Sequence, residues 1–176
     1  AAPGGIYASH IRDERDHVLD AVAEAIAVGE QAQMPVQISH LKVAGANNWG
    51  RSKEAVGLID SAIGRGVEVT CDVYPYDAAS TGLTALLPPA LFADGYPEFS
   101  RKIADAGFRR HIIAQLESDT GDRWENKLKG TGFDQIVIIG SSRFPGFNGQ
   151  TVSAIAAQER KAPYDVIFDL IAEEGN

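Results

Sequence analysis

Residues 4–76 alternate between short apolar runs and longer stretches of helical periodicity, and that alternation narrows the folds open to the chain. Ile6 to Ile11 reads as a buried strand, set between Gly4-Gly5 and the polar loop Arg12-Asp13-Glu14. A helix is expected from about Arg15 to Gln31, because Val18, Val22, Ala25 and Ile26 share one face. Gly29 weakens its last turn, and Pro35 precedes a second strand, Val36 to Leu41. Ser52 is a fitting N-cap for a second helix, with Ala55, Leu58, Ile59, Ala62 and Ile63 as its stripe and Gly66 as its stop. Val67 to Tyr74 makes a third strand, with Cys71 as a small core residue. Consecutive strands joined by helices imply parallel pairing with the helices packed outside.

After Tyr76 the pattern changes. Asp77 to Thr84 is a small, polar loop, and Pro88-Pro89 opens a short helix to Ala93. Further helices are expected from Pro97 to Ala106, where Gly107 breaks the run, and from Phe108 to Ser118 with Ile112, Ile113 and Leu116 inward. Trp124-Glu125-Asn126 falls in or beside a turn or strand, and Gln135 to Ile139 reads as a strand of β-branched residues. Thr151 caps a helix of about ten residues, and Tyr164 to Glu174 forms the last, burying Val166, Ile167, Leu170 and Ile171. The organisation is therefore α/β: a partial barrel segment over 1–81 and an α+β subdomain over 82–176.

Several function classes fall away on composition. A net charge of −8 opposes a nucleic-acid groove, which needs a basic face. The same charge removes any polybasic membrane anchor, and no apolar run nears the roughly 20 residues of a membrane span. No secretory leader is visible, although the chain starts Ala-Ala-Pro without Met. The single Cys71 excludes an internal disulfide and fits a reducing, cytoplasmic compartment.

Polar residues gather at the C-terminal ends of the strands, the edge where parallel barrels carry their chemistry. His10 and His40 stand there thirty positions apart, each after a serine and each on one of two consecutive strands. Adjacent strands lie about 4.8 Å apart, so two imidazoles at matched depth can reach one ion, or can be unrelated polar residues at strand ends. Lys42, two residues past His40, is either a cation for a substrate carboxylate or a solvated lysine. Arg12 and Arg51 are open in the same way. Asp13, Glu14 and Asp72 are candidates to orient the histidines, or are solvated carboxylates. Tyr74 and Tyr76 either donate to a developing oxyanion or pack around Pro75. Ser80 and Thr81 are hydroxyl donors on a site-facing loop or turn formers, and Trp49 and Trp124 pin loops. His17 and His111 fall on helices away from that edge and read as surface residues.

The runs GGIYASHIRDE (4–14), ISHLKVAGANNWGRS (38–52), DVYPYDAAST (72–81), WEN (124–126) and PYDVIFDLIAEEG (163–175) resemble the N-acyl-D-amino-acid deacylases, or D-aminoacylases. These are zinc enzymes of the amidohydrolase superfamily, and the resemblance covers nearly the whole chain. It implies that His10 and His40 match zinc-binding histidines at the ends of the fifth and sixth strands of a (β/α)₈ barrel. Lys42 matches a lysine that holds the substrate carboxylate. Tyr74, with Tyr76 as its alternative, matches a tyrosine that polarises the scissile carbonyl, and Ser80 matches a loop serine near that carboxylate. Residues 82–176 resemble the insertion after the seventh strand.

The family's HxH pair, its cysteine ligand and its general-base aspartate have no counterpart in these residues. A (β/α)₈ barrel takes about 250 residues, so the chain reads as a central piece of a larger enzyme. The expectation is a piece of a zinc amidohydrolase that hydrolyses the amide of a small N-acyl-D-amino acid. The intact enzyme would hold one or two zinc ions, while this piece would be inactive by itself and bind zinc weakly or not at all. Exposed strand edges imply self-association, or an appendage that folds over one edge. The competing readings are a cyclic-amide hydrolase of dihydroorotase or hydantoinase type and a non-catalytic α/β assembly module.

Overall fold

The computed structural model describes residues 4–118 and 124–174, which fall into two compact units, Ala1–Ala79 and Ser80–Asn176. Gly175, at the end of the last resembling run, lies outside the described residues.

The first unit is built on a parallel sheet of β1 (Tyr7–Ser9), β2 (Val36–Ile38) and β3 (Val69–Cys71), in that order. Tyr7 pairs with Val36 and Val36 with Val69, so the three strands run in step. Helices α1 (Val18–Ala32) and α2 (Ser52–Gly64) connect them and share one core with the sheet. Val36, Ile38 and Val69 point into that core, while Ala8, Gln37 and Thr70, matched in register, lie on the other face.

The helix starts differ from expectation for local reasons. α1 begins at Val18 because the Asp13 carboxylate accepts from the N–H groups of Arg15 (2.7 Å) and His17 (3.0 Å), which holds those residues in a turn. At α2 the cap position is Arg51, and Ser52 is the first helical residue, without the expected side-chain cap. The Arg51 guanidinium donates to Asn48 Oδ1 and the Asp16 carbonyl, each at 3.1 Å, and ties the preceding loop to the helix start. Gly29 stays inside α1: a Cβ there would come within 2.0 Å of Val36 Cγ2, so glycine lets helix and strand close. Gly66, at φ +90°, follows α2 in the left-handed region that glycine adopts readily. The third strand is shorter than its apolar run. Cys71 is exposed and free rather than in the core, and Ile63 faces solvent on α2.

The second unit holds α3 (Tyr96–Lys102), α4 (Ala106–Ser118), α5 (Val152–Glu159) and α6 (Pro163–Glu174), with 3₁₀ turns at Leu83–Leu86, Pro89–Phe92 and Pro145–Phe147. Its core centres on α6, whose Val166, Ile167, Phe168, Leu170 and Ile171 are all buried. Thr151 caps α5 as expected, its hydroxyl accepting from the Ala154 N–H at 3.1 Å. Gly107 does not break a helix but sits in the first turn of α4, where N–H groups have no intrahelical partner and glycine costs little. The expected strand at Gln135 to Ile139 reduces to one antiparallel bridge, Val137 with Thr151. Trp124-Glu125-Asn126 opens a turn in which Asn126 Oδ1 accepts from Leu128 and Lys129 N–H.

Candidate metal centre

His10 and His40 both lie just beyond a strand end. His10 follows β1 directly, while His40 occupies a turn after β2 with φ +41°, in the left-handed region. For a residue with a side chain that conformation costs roughly 1–2 kcal/mol, so the surroundings must hold it. They do so from β3. The Asp72 carboxylate accepts from the His40 N–H at 2.5 Å, and the Asp72 carbonyl accepts from Leu41 N–H at 2.8 Å.

The outcome is an imidazole pair. His10 Nδ1 meets His40 Nε2, and the rings stack with centroids 4.4 Å apart and planes 25° from parallel. The other nitrogen of His40, Nδ1, is 3.0 Å from both Glu14 Oε1 and Lys42 Nζ. Lys42 directs N–H groups to Glu14 Oε1 (2.5 Å) and the His40 carbonyl (3.3 Å), and we assign the His40 proton to Nδ1, as a donor to Glu14. That tautomer leaves the Nε2 lone pair of His40 facing His10. A carboxylate behind an imidazole whose far nitrogen is free is the arrangement found around metal-ligating histidines. The donor set therefore fits zinc in part, supplying two imidazole nitrogens where zinc takes four ligands. Among the described residues no group of three or more His, Cys, Asp or Glu gathers to hold a metal.

Lys42 and Glu14 are a paired charge at the rim of this cluster, with side chains 24% and 11% exposed. Pairing is what allows a carboxylate to be this buried. The Lys42 ammonium also lies 5.4 Å from the centre of the half-buried Tyr74 ring, within cation–π range. The Tyr74 ring is 6.5 Å from that of His40, and the exposed Tyr76 ring is 6.4 Å beyond Tyr74. The structure thus gathers His10, His40, Lys42 and Tyr74 around one strand edge. Ser80 is exposed and is the first residue of the second unit.

The remaining candidates lie apart. Arg12 pairs with Glu24 at 2.6 Å, His17 is 3.7 Å from Asp20 at the start of α1, and His111 is exposed on α4. A cavity of about 250 Å³ beside β1 and α1 includes His10 in its walls but not His40 or Lys42. Sequence reading did not single out Gln37 and Thr70. Gln37 Nε2 donates to Asp72 Oδ2 at 2.8 Å, and Thr70 Oγ1 donates to Gln37 Oε1 at 2.5 Å. A hint lay in the two-residue step from Thr70 in β3 to Asp72 just past its end, which puts both on one face if the chain stays extended.

No protein-family model matches the chain. It is 48% identical to a D-aminoacylase of Alcaligenes xylosoxydans xylosoxydans over 170 residues, which is 97% of this chain and 26% of the relative. The chain belongs to the N-acyl-D-amino-acid deacylase family. It spans about a quarter of the length of that D-aminoacylase. Solved deacylases share its structure. An N-acyl-D-glutamate deacylase from Bordetella bronchiseptica, complexed with zinc and a phosphonate mimic of the tetrahedral intermediate, aligns with TM-score 0.65 at 28% identity. A crystallographic D-aminoacylase aligns with TM-score 0.62 at 32% identity, and each alignment covers 95% of this chain and 26% of the other. The three-stranded sheet with its helices is accordingly part of an amidohydrolase barrel.

Proposed function

We propose that the chain is part of a zinc-dependent deacylase that hydrolyses the amide bond of N-acyl-D-amino acids. The observation that carries this is the convergence of His10 Nδ1 and His40 Nε2 with Glu14 behind His40. Residues 1–81 would be strands five to seven of an eight-stranded barrel, and residues 82–176 the insertion that follows. Relatives named D-aminoacylase, N-acyl-D-aspartate deacylase and N-acyl-D-glutamate deacylase favour an N-acyl-D-amino acid over a cyclic amide.

In this reading His10 and His40 hold zinc, which when bound polarises a carbonyl and lowers the pKa of water. Glu14 keeps the His40 ring in the tautomer that leaves Nε2 free. Lys42 offers its ammonium to the substrate carboxylate, exchanging part of its contact with Glu14 for one with the ligand. The Tyr74 phenol donates a hydrogen bond to the carbonyl oxygen as negative charge grows there. Ser80, by the resemblance, matches a loop serine near the substrate carboxylate.

The 176 residues contain no HxH pair, so we propose that they bind zinc weakly and do not turn over. Calorimetry should give weak zinc binding that disappears in His10→Ala and in His40→Ala. Binding that survives both substitutions would place the metal elsewhere. Release of free D-amino acid from N-acetyl-D-amino acids, lost on His40→Ala, would refute the inactivity. β1 and β3 are the sheet edges, with Ile6 55% and Val73 71% exposed nearby, and we propose that they drive self-association. Sedimentation as a monomer across a concentration series would refute that.

A further inference from the structure

We propose that Asp72 is the positioning residue for His40, and that Gln37 and Thr70 aim its carboxylate. The proposal rests on the metal reading above for its consequence, but not for its geometry.

Three links fasten the turn after β2 to residue 72. The Asp72 N–H donates to the Ile38 carbonyl (3.2 Å), the Leu41 N–H donates to the Asp72 carbonyl (2.8 Å), and the His40 N–H donates to Asp72 Oδ1 (2.5 Å). The first two are ladder-like and depend on no side chain. The third depends on the carboxylate, and it acts on His40, whose φ of +41° disfavours a side chain.

The carboxylate is itself held in order. Its other oxygen, Oδ2, accepts from Gln37 Nε2 at 2.8 Å, and Gln37 Oε1 accepts from Thr70 Oγ1 at 2.5 Å. Gln37 and Thr70 are register partners on the face of the sheet away from the helices. The Asp72 carboxylate only accepts, so it draws the NH₂ end of the Gln37 amide, and the Thr70 hydroxyl donates to the oxygen end: the contacts run from Thr70 to Gln37, from Gln37 to Asp72, and from His40 to Asp72. Every donor meets an acceptor. If the turn served only to end β2, glycine at position 40 would close it without strain and without Asp72. The clamp is needed because the residue held left-handed carries the imidazole that faces His10.

The test uses the purified 176-residue chain, with the His40 amide resonance and Co(II) binding as separate readouts. Asp72→Ala should move the His40 amide proton upfield and raise the Co(II) dissociation constant about 10- to 100-fold, as for other groups that orient metal ligands. Asp72→Asn should retain both. Its Oδ1 still accepts from His40, and the Gln37 amide can turn over to meet the new NH₂. A general loss of structure would not be rescued in this way. An unmoved His40 amide in Asp72→Ala, or an unchanged Co(II) dissociation constant, overturns the proposal. Should Asp72→Ala not fold, Gln37→Ala takes its place, and a His40 amide that does not shift there is equally decisive. Where the wild-type chain binds no Co(II), the response of the His40 amide alone decides the clamp.

Discussion

In the first unit a carboxylate near a strand end meets an imidazole, an ammonium or a backbone N–H: Glu14 beside His40 and Lys42, Asp72 under His40. In the second, carboxylates bind helices and loops to one another. Arg109 on α4 donates to Asp165 (3.0 Å) and Asp169 (2.7 Å) on α6, and Lys161 reaches Asp169 at 2.7 Å. Glu174 at the end of α6 accepts from the Ser141 hydroxyl and from the N–H groups of Ser142 and Arg143. Their cores differ as well. The first is mostly Val, Ala and Ile fitted around a sheet, while the second contains stacked and tilted aromatics such as Phe99, Phe168 and Tyr164. Charged groups thus orient side chains at the strand ends of the first unit and staple elements around α6 of the second.

The strongest challenge to this contrast is Phe168→Ala. Phe168 is fully buried, and its loss should lower stability by about 3–5 kcal/mol. Urea unfolding followed by hydrogen exchange of α6 amides measures this. A loss under about 1 kcal/mol would mean that the ion pairs, not the aromatic core, hold the second unit.

Gly29→Ala sharpens the other side. The added methyl meets Val36 Cγ2, itself fully buried, and overpacking of this kind should cost about 1–3 kcal/mol. Exchange at the amides of α1 and β2 reads it. Unchanged protection would show that the close fit between helix and strand is not needed.

The smallest effect concerns Asp169. Burial pushes its carboxyl up, but the hydrogen bonds from Lys161 and Arg109 outweigh that and hold it below the usual aspartate value. A depressed folded-state pKa gives stability that is present above about pH 4 and is lost as pH falls through the folded value. The gap in urea midpoint between wild type and Asp169→Asn should therefore shrink as pH is lowered below about 4. A gap that does not change with pH would remove Asp169 from the staple.

The sheet was legible because each strand is a short apolar run and each connection has a helical stripe, leaving few alternatives to parallel pairing. The segment Gln135 to Ile139 shows the limit. Ile138 is buried while Val137 and Ile139 are exposed, so the strand-like alternation is real. Propensity cannot supply a full partner strand, however, and among the described residues the pairing stays short, a Val137 bridge to Thr151 flanked by backbone bonds to Gly149, Gln150 and Val152. Of the site, His10 and His40 were visible because they occupy matched places after consecutive strands. The parts played by Gln37 and Thr70 were not, since they depend on which residue of β2 stands opposite which of β3. The turn at His40 was hidden too, because a left-handed histidine carries no mark in its sequence neighbours.

That backbone sets two demands on position 40 in opposition. Folding alone would be served by glycine, which reaches φ +41° without crowding, whereas the metal role proposed for His40 needs the ring. A codon library at this site would separate them. Selection for folded protein should enrich glycine, and selection for metal capture should keep histidine. The ratio of the two at this one codon is thus a record of whether folding or chemistry shaped it.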